Sequence, residues 1–364
     1  MTVRTILLAG LCAAALTSGC AQWQPNGQAY EKVEEPVAQV SWPAPPEPPR
    51  IRYLHSIASE RDLDVRPGLF QRFVRFMTGV NVRGLSRPQA LTVDDENRLY
   101  VVDGLHRRVH VFDRDKGAYY IFPEIPPDGF VNPVGVTTGT NGRVYVSDSK
   151  TRVIHVFSSR GKRYEGSIGA GRFERPTGLA FDRANLRLLV TDTVTGTLTA
   201  LNEGSLAPNA QRTMTDNAER DIAAVWPGNG ADVMHAPTHV AINSGGGIVV
   251  TDSLNFRVHL LDSNFNRVGF FGEAGDQPGY FARPKGVAMD SKGNVYVVDA
   301  LFGNVQIFNT QGDLLLTFGK PGSGIGEFWL ASGIFIDHQD RIYVADAWNQ
   351  RVQVFQYLHH EEYQ

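Results

Sequence analysis

The chain has 364 residues, 42% of them hydrophobic, and a formal net charge of −3 at pH 7. This is enough apolar material for a buried core, and the length is ordinary for a single all-β repeat domain. The weakly acidic balance provides no basic surface for nucleic acid, so nucleic acid is excluded as a partner.

Residues 1–19 are predicted to be a signal peptide, because Arg4 is followed by an apolar stretch too short to span a bilayer. The stretch ends in Leu16-Thr17-Ser18-Gly19-Cys20, which resembles the lipobox of bacterial lipoproteins. The resemblance implies a lipid anchor on Cys20 as the only membrane attachment. With Ala21 next in the chain, it also implies a location on the periplasmic side of the outer membrane. The alternative is an ordinary secretory signal in which Cys20 is incidental.

Residues 20–49 are predicted to form an extended tether that carries the lipidated end. Proline disfavours both helix and sheet and favours polyproline II. At about 3.1 Å per residue the tether could hold the following domain up to roughly 90 Å from the membrane. The prolines are Pro25, Pro36, Pro43, Pro45, Pro46, Pro48 and Pro49.

Six similar segments follow the tether, and each one predicts four short β-strands. Each begins near a proline (an alanine in the last segment) and contains an aspartate at the end of an apolar run, with steps of 45, 44, 60, 47 and 47 residues between the aspartates. Alternating β-branched and aromatic residues between Gly, Asn and Asp turns are typical of strands, and units of this length are typical of propeller blades. The aspartates are Asp103, Asp148, Asp192, Asp252, Asp299 and Asp346.

The segments share Pro-x-Gly-Val, Val-x-Asp and Asn/Arg-x-Val-Gln-Val-Phe patterns, which resemble the NHL repeat over roughly residues 86–356. The resemblance implies an all-β, six-bladed β-propeller of NHL type over residues 50–358, followed by a tail at 359–364. The last segment has no fourth strand after Phe355. We therefore expect the segment around Tyr53 to supply it, which would close the ring and remove an unpaired sheet edge.

Two segments fall outside the repeat pattern. Residues 58–85 are predicted to be a linker containing a short helix, and residues 202–219 are a polar insertion that is a candidate specificity element. One helix face carries apolar residues at i, i+3, i+4 and i+7. That face either covers the propeller or contacts a partner or the membrane, and it consists of Phe70, Phe73, Val74 and Met77.

The repeated aspartates have two interpretations. A ring of carboxylates could bind calcium, but a residue that recurs in every blade more often binds the backbone of the adjacent turn. The second interpretation is preferred here.

Histidine is the other candidate metal ligand. Three histidines, His110, His155 and His259, lie seven residues after their aspartates. In the last two segments that position holds Gln306 and Gln353, which favours packing over zinc binding. His239, in place of the repeat glycine, and nearby His235 are the remaining candidates for a metal ligand.

The predicted function is a membrane-anchored protein-binding scaffold of the bacterial cell envelope. No nucleophile, phosphate-binding or His-Glu-x-x-His motif occurs, so no catalytic residue and no cofactor is predicted. Bacterial six-bladed NHL lipoproteins are the nearest resemblance, and it implies other cell-envelope proteins as partners. The alternative is a periplasmic hydrolase or lyase with a divalent metal, zinc or calcium, in the central channel.

Overall fold

The structure is a computed structural model that describes residues 40–63, 84–123, 129–205, 222–226 and 233–358. No helix in these ranges is long and apolar enough to cross a membrane. Several sequence predictions lie outside the described residues: the signal peptide, Cys20, most of the tether, the helix with Phe70, Phe73, Val74 and Met77, the insertion beyond 205, and the tail.

In the described residues the regular structure consists of strands and single 3-10 turns, the turns being Glu60–Leu63, Thr140–Gly142, Ser159–Gly161 and Glu203–Ser205. Two strands precede the repeats, β1 (Ser41–Trp42) and β2 (Ile51–Ile57). Blade 1 contains β3 (Pro88–Val93), β4 (Arg98–Asp103), β5 (Arg108–Asp113) and β6 (Ala118–Phe122). Blade 2 contains β7 (Pro133–Thr138), β8 (Val144–Asp148), β9 (Val153–Phe157) and β10 (Tyr164–Ile168). Blade 3 contains β11 (Pro176–Asp182), β12 (Arg187–Asp192), β13 (Thr197–Asn202) and β14 (Ile222–Trp226).

The second half repeats this order. Blade 4 contains β15 (Pro237–Ile242), β16 (Ile248–Asp252), β17 (Arg257–Leu261) and β18 (Arg267–Phe271). Blade 5 contains β19 (Pro284–Met289), β20 (Val295–Asp299), β21 (Asn304–Phe308) and β22 (Leu314–Phe318). A small parallel pair, β23 (Lys320–Pro321) and β24 (Glu327–Phe328), leads to blade 6 with β25 (Ile334–Ile336), β26 (Arg341–Asp346) and β27 (Arg351–Tyr357).

The prediction of six antiparallel blades in a ring is confirmed. In each blade the first strand lies at the central channel and the strands follow one another outward. The predicted closure is also confirmed, because β2 pairs with β27 and places Tyr53 opposite Phe355. The two ends of the propeller therefore share blade 6, and the outer edge of β27 is paired.

Blade 6 has a fifth strand that the sequence did not predict. β1 lies within residues 20–49, the region predicted to be a tether, and it pairs with β2. The Trp42 ring lies 5.8 Å from the ring of Phe318 and 5.7 Å from that of Phe355, measured between centroids. These aromatic contacts hold the short strand against the propeller although prolines follow it.

The core consists of apolar clusters between neighbouring blades rather than within one sheet. In the described residues each adjacent pair of blades shares one such cluster. The pair formed by blades 6 and 1 packs Val352 and Val354 against Leu99 and Val101. Because burial between blades supplies most of the stabilisation, this last cluster closes the ring energetically as well as topologically.

The inner strands form a narrow waist in the channel. Five begin with proline, which has no N–H to lose at the channel edge. Two residues after the proline, or after Ala331 in blade 6, four blades have glycine. A Cβ on Gly135 would lie 2.3 Å from the carbonyl oxygen of Thr177. Neighbouring backbones are thus in direct contact at the waist. Blade 4 places His239 at this position.

Candidate binding face

The repeat aspartates lie at one end of the propeller, which we call the upper face. Each aspartate joins the loop that enters its blade to the turn between the second and third strands. Asp299 accepts hydrogen bonds from the backbone N–H groups of Ala282 (2.7 Å), Arg283 (3.0 Å), Leu301 (3.0 Å) and Phe302 (3.0 Å). The other five also accept a backbone N–H group of the entering loop in their own blades, and they are Asp103, Asp148, Asp192, Asp252 and Asp346. Asp252 and Asp346 bind the turn through the side-chain amides of Asn255 and Asn349 instead of its backbone.

This geometry directs the carboxylates at backbone donors rather than at a common ion. Within the residues that the structure describes, no group of three or more His, Cys, Asp or Glu side chains could hold a metal ion. A calcium site at the aspartates therefore has no support from their positions.

The three histidines of the third strands stay inside separate blades. His110 and His259 each place Nε2 beside their own aspartate, at 3.3 Å from Asp103 and 3.5 Å from Asp252. Gln353 uses the same position to donate to Asp346 at 3.1 Å. Burial lowers the pKa of His110, against the opposing effect of Asp103. These side chains act within blade packing, and the structure does not bring them together.

Exposed apolar residues recur two positions after the aspartate in five blades, and we call this set the apolar ring. Their side chains are 53% to 67% exposed. In blade 2 the position holds Lys150. The backbone N–H of the ring residue donates to the buried aspartate in blades 1, 3 and 5, which fixes the turn that presents it. The ring consists of Leu105, Val194, Leu254, Leu301 and Trp348.

Trp348 also belongs to an exposed aromatic pair. Its ring lies 5.7 Å from that of Trp329, with 34° between the planes, and both side chains are more than half exposed. The backbone N–H of Trp329 donates to Asp346 at 2.8 Å, and that of Trp348 donates to the carbonyl of Trp329 at 3.1 Å. A rigid, accessible tryptophan pair is typical of protein-binding surfaces.

The channel opens on the upper face as a cavity of about 320 Å³. Three cationic side chains line it, those of Arg87, Arg283 and Lys285. None of the three forms an ion pair with a carboxylate in the described part of the chain. Lys285 is half-buried, and its pKa is lowered by burial and by the neighbouring Arg283. We call this cavity the upper mouth.

His239 lies at the waist, between the upper mouth and the cavity below it. Its Nδ1 is buried and has no hydrogen-bond partner among the described residues. Burial, with a smaller effect of Lys285, lowers the pKa of His239 to about 3, so the imidazole is neutral at pH 7. His235 is exposed, and its backbone N–H binds Asp252 at 3.0 Å. The two candidate ligands therefore do not form a metal site with other described residues.

The opposite end of the channel, which we call the lower face, is a larger and differently built cavity of about 570 Å³. Apolar residues of the inner strands form much of its wall, and three aspartates at its rim each bind an arginine of the next strand. The distances are 2.7 Å for Asp94–Arg98, 2.8 Å for Asp182–Arg187 and 2.6 Å for Asp337–Arg341. These rim charges are matched within each blade.

The sequence analysis did not find the apolar ring, the tryptophan pair or the upper mouth. The aligned repeats did contain a signal for the apolar ring, since the residue two positions after the aspartate is apolar in five of the six segments. The mouth had a weaker signal in the Arg-Pro starts of blades 1 and 5.

A protein-family model described as a 6-bladed beta-propeller matches residues 283–362. No curated protein matches the chain. Several solved structures share the fold. A streptogramin B lyase is 11% identical with a TM-score of 0.53, and the match covers 75% of this chain and 94% of that chain. An auxiliary nutrient binding protein from Bacteroides thetaiotaomicron is 14% identical with a TM-score of 0.56, over 75% of this chain and 70% of that chain. The calcium-binding protein regucalcin from Agrobacterium tumefaciens is 11% identical with a TM-score of 0.53, over 75% of this chain and 90% of that chain. Together with the six blades of the structure, these matches define the class as a six-bladed β-propeller. At these identities the structural neighbours establish the fold alone, and they include both an enzyme and binding proteins.

Proposed function

We propose that this chain is a lipid-anchored binding scaffold of the bacterial cell envelope, whose upper face docks another envelope protein. The apolar ring is the observation that carries the proposal. Five of the six upper turns present a large, more than half-exposed apolar side chain at the same position. Scattered surface leucines need no explanation, but apolar residues repeated around one face are typical of an interaction surface.

Charge on the same face suggests the chemistry of the partner. The upper mouth adds Arg87, Arg283 and Lys285, and Lys150 takes the ring position in blade 2. A partner with apolar side chains around an acidic centre would complement this surface in both respects.

The N-terminal strands enter the propeller at its outer edge. β1 is the outermost strand of blade 6 and lies away from the channel. A lipid on Cys20, proposed from the lipobox resemblance, would therefore be connected to the propeller through this outer strand.

The docking proposal can be tested by affinity isolation from detergent-solubilised envelopes with the full chain as bait. The double variant Leu254→Ser/Leu301→Ser removes two ring residues, and Val268→Ser, 69% exposed on outer strand β18, is the matched control. We expect a specific protein to be recovered with wild type and the control, and to fall at least tenfold with the double variant. Equal recovery by all three, or nothing above a tag-only bait, contradicts the proposal.

The anchor is tested separately by metabolic labelling with an alkyne fatty acid. We expect label on the wild-type chain and none on Cys20→Ala. An unlabelled wild-type chain that is released by high salt would contradict lipid anchoring but leave the docking result valid.

A further inference from the structure

The upper mouth contains positive charge that the described part of the protein does not neutralise. Arg87, Arg283 and Lys285 line one cavity, and none has a carboxylate partner among the described residues. Arg87 and Arg283 are exposed, whereas Lys285 is half-buried. The half-buried ammonium group loses hydration and the adjacent guanidinium of Arg283 adds repulsion, so an anion bound at the mouth would relieve an unfavourable interaction at Lys285.

The positions of the three cations follow from ring closure. Arg283 and Lys285 flank the proline that begins blade 5, and Arg87 precedes the proline that begins blade 1. Blade 6 lies between them and contributes Leu330 and Ser332, with no acidic residue at these positions. The cations therefore lie on two sides of a stretch of the mouth to which blade 6 contributes only uncharged residues.

The backbone that carries the arginines is fixed. The N–H of Arg87 donates to Asp103 at 3.2 Å, and that of Arg283 donates to Asp299 at 3.0 Å. The mouth is thus preorganised at the backbone level, which reduces the entropy lost when a ligand binds.

The remaining walls favour an organic anion over a bare inorganic one. Ala300, Leu330, Ala347 and the Trp348 ring supply apolar surface, while Gln89 supplies an amide. The volume of about 320 Å³ is at the lower end of the range for small-molecule sites and fits a few carbon atoms with one or more carboxylates.

We propose that the upper mouth is a carboxylate-binding site, in which Arg283, Lys285 and Arg87 receive a carboxylate and Trp348 contacts its carbon skeleton. The carboxylate comes either from a free small organic acid or from an acidic residue of the docked partner. The second source deepens the function proposed above and rests on it, whereas the first does not.

The test is isothermal titration of the full chain with citrate, and with a short peptide that ends in Glu-Glu. The variant Arg283→Gln/Lys285→Gln removes two cations, and Lys162→Gln, an exposed lysine in the turn before β10 and outside the upper face, is the matched control. We expect binding at one site per chain, at least tenfold weaker in the double variant and within twofold of wild type in the control. Circular dichroism checks that the variants are folded.

Two further comparisons distinguish a carboxylate of the docked partner from a free organic acid. If the partner supplies the carboxylate, the acidic peptide binds more tightly than its Gln-Gln counterpart, and the double variant loses the partner isolated by affinity. If a free acid is the ligand, citrate binds to wild type, and the variant Arg283→Gln/Lys285→Gln recovers as much partner as wild type does. The apolar-ring variant Leu254→Ser/Leu301→Ser should keep citrate binding in either case, so failure of docking does not obscure this result. Absence of binding by both probes, or equal binding by wild type and the double cation variant, overturns the proposal.

Discussion

The two ends of the channel use charge in opposite ways. At the lower face, Asp94, Asp182 and Asp337 bind arginines of their own blades, and Tyr100 and Tyr343 add hydroxyl donors to two of them. At the upper mouth the cations have no such partners among the described residues, and the surrounding turns expose apolar side chains.

The charges of the lower face stabilise the fold, whereas the exposed residues of the upper face are available for binding. Ion pairs made within a blade stabilise its first turn and leave little free charge at the lower face. The upper turns are stabilised instead by buried aspartates, which bind backbone N–H groups of the turn in blades 1, 2, 3 and 5 and an asparagine side chain in blades 4 and 6. The side chains of the apolar ring take no part in these bonds and are available for contacts. Variants at the two ends should therefore differ in whether they affect stability or binding.

The largest expected effect belongs to the aspartates that build the upper face. Asp299→Ala removes the acceptor of four backbone N–H groups and should lower the free energy of unfolding by about 4 kcal/mol. It should also weaken citrate binding, since Arg283 loses its backbone anchor. Urea denaturation measures the first effect. Asp299→Asn, which keeps one oxygen acceptor, should lose about half as much, and equal losses would contradict the role of both carboxylate oxygens.

At the lower face, Asp94→Ala should lower the free energy of unfolding by about 3 kcal/mol. The change leaves Arg98, 2% exposed, with the half-exposed Glu96 as its one carboxylate partner in the described part of the chain. The counterpart at the upper face, Arg87→Gln, should change stability by less than about 0.5 kcal/mol. The comparison between the two ends fails if the two variants are equally destabilised in the same urea titration.

His239 lies between the two ends and should make the fold sensitive to acid. Its pKa is about 3 in the folded protein and about 6.5 in an unfolded chain, so between these values the unfolded state binds the additional proton. Stability therefore falls as the pH drops from 7 towards 3. His239→Ala should reduce the loss between pH 7 and pH 4 by about 2 kcal/mol. The control is the exposed His338→Gln, and the measurement is the urea midpoint at both pH values; unchanged acid sensitivity in His239→Ala would exclude this histidine as the cause.

The smallest effect has the opposite sign. Lys285→Met removes a half-buried cation beside Arg283 and should raise the free energy of unfolding by about 1 kcal/mol. It should also weaken citrate binding, because one of the three cations of the mouth is lost. Lys162→Met should do neither, because Lys162 is exposed and lies outside the upper face. Thermal denaturation with and without citrate distinguishes the two. A destabilised Lys285→Met would show that the lysine contributes to the fold.

The sequence predicted the architecture well because the fold depends on a repeated local rule. One aspartate per segment, a proline ahead of it and an apolar alternation between them were sufficient to place six blades, and the missing last strand pointed to the Tyr53 segment. It did not reveal β1, because Trp42 lies among prolines and its partners Phe318 and Phe355 are distant in sequence.

The candidate site was less predictable for a related reason. Whether a cation is paired depends on which side chains the closed ring brings near it, and Arg87 and Arg283 are almost two hundred residues apart. The Arg-Pro pattern gave their positions at the starts of the blades but could not show that blade 6 places no carboxylate between them. The exposure of the apolar ring was not predictable for the same kind of reason. It depends on how the turns present these side chains and not on which residue types they are.

The pairing of β2 with β27 has a consequence for biosynthesis. Ile51–Ile57 leaves the ribosome before any of the repeats, yet its partner Arg351–Tyr357 is made only after the other five blades. A nascent or truncated chain must therefore carry this strand unpaired until blade 6 has been translated. Synthesis of blade 6 is thus a precondition of a closed propeller, and a premature stop within it would yield an open ring with an unpaired sheet edge that is prone to aggregation.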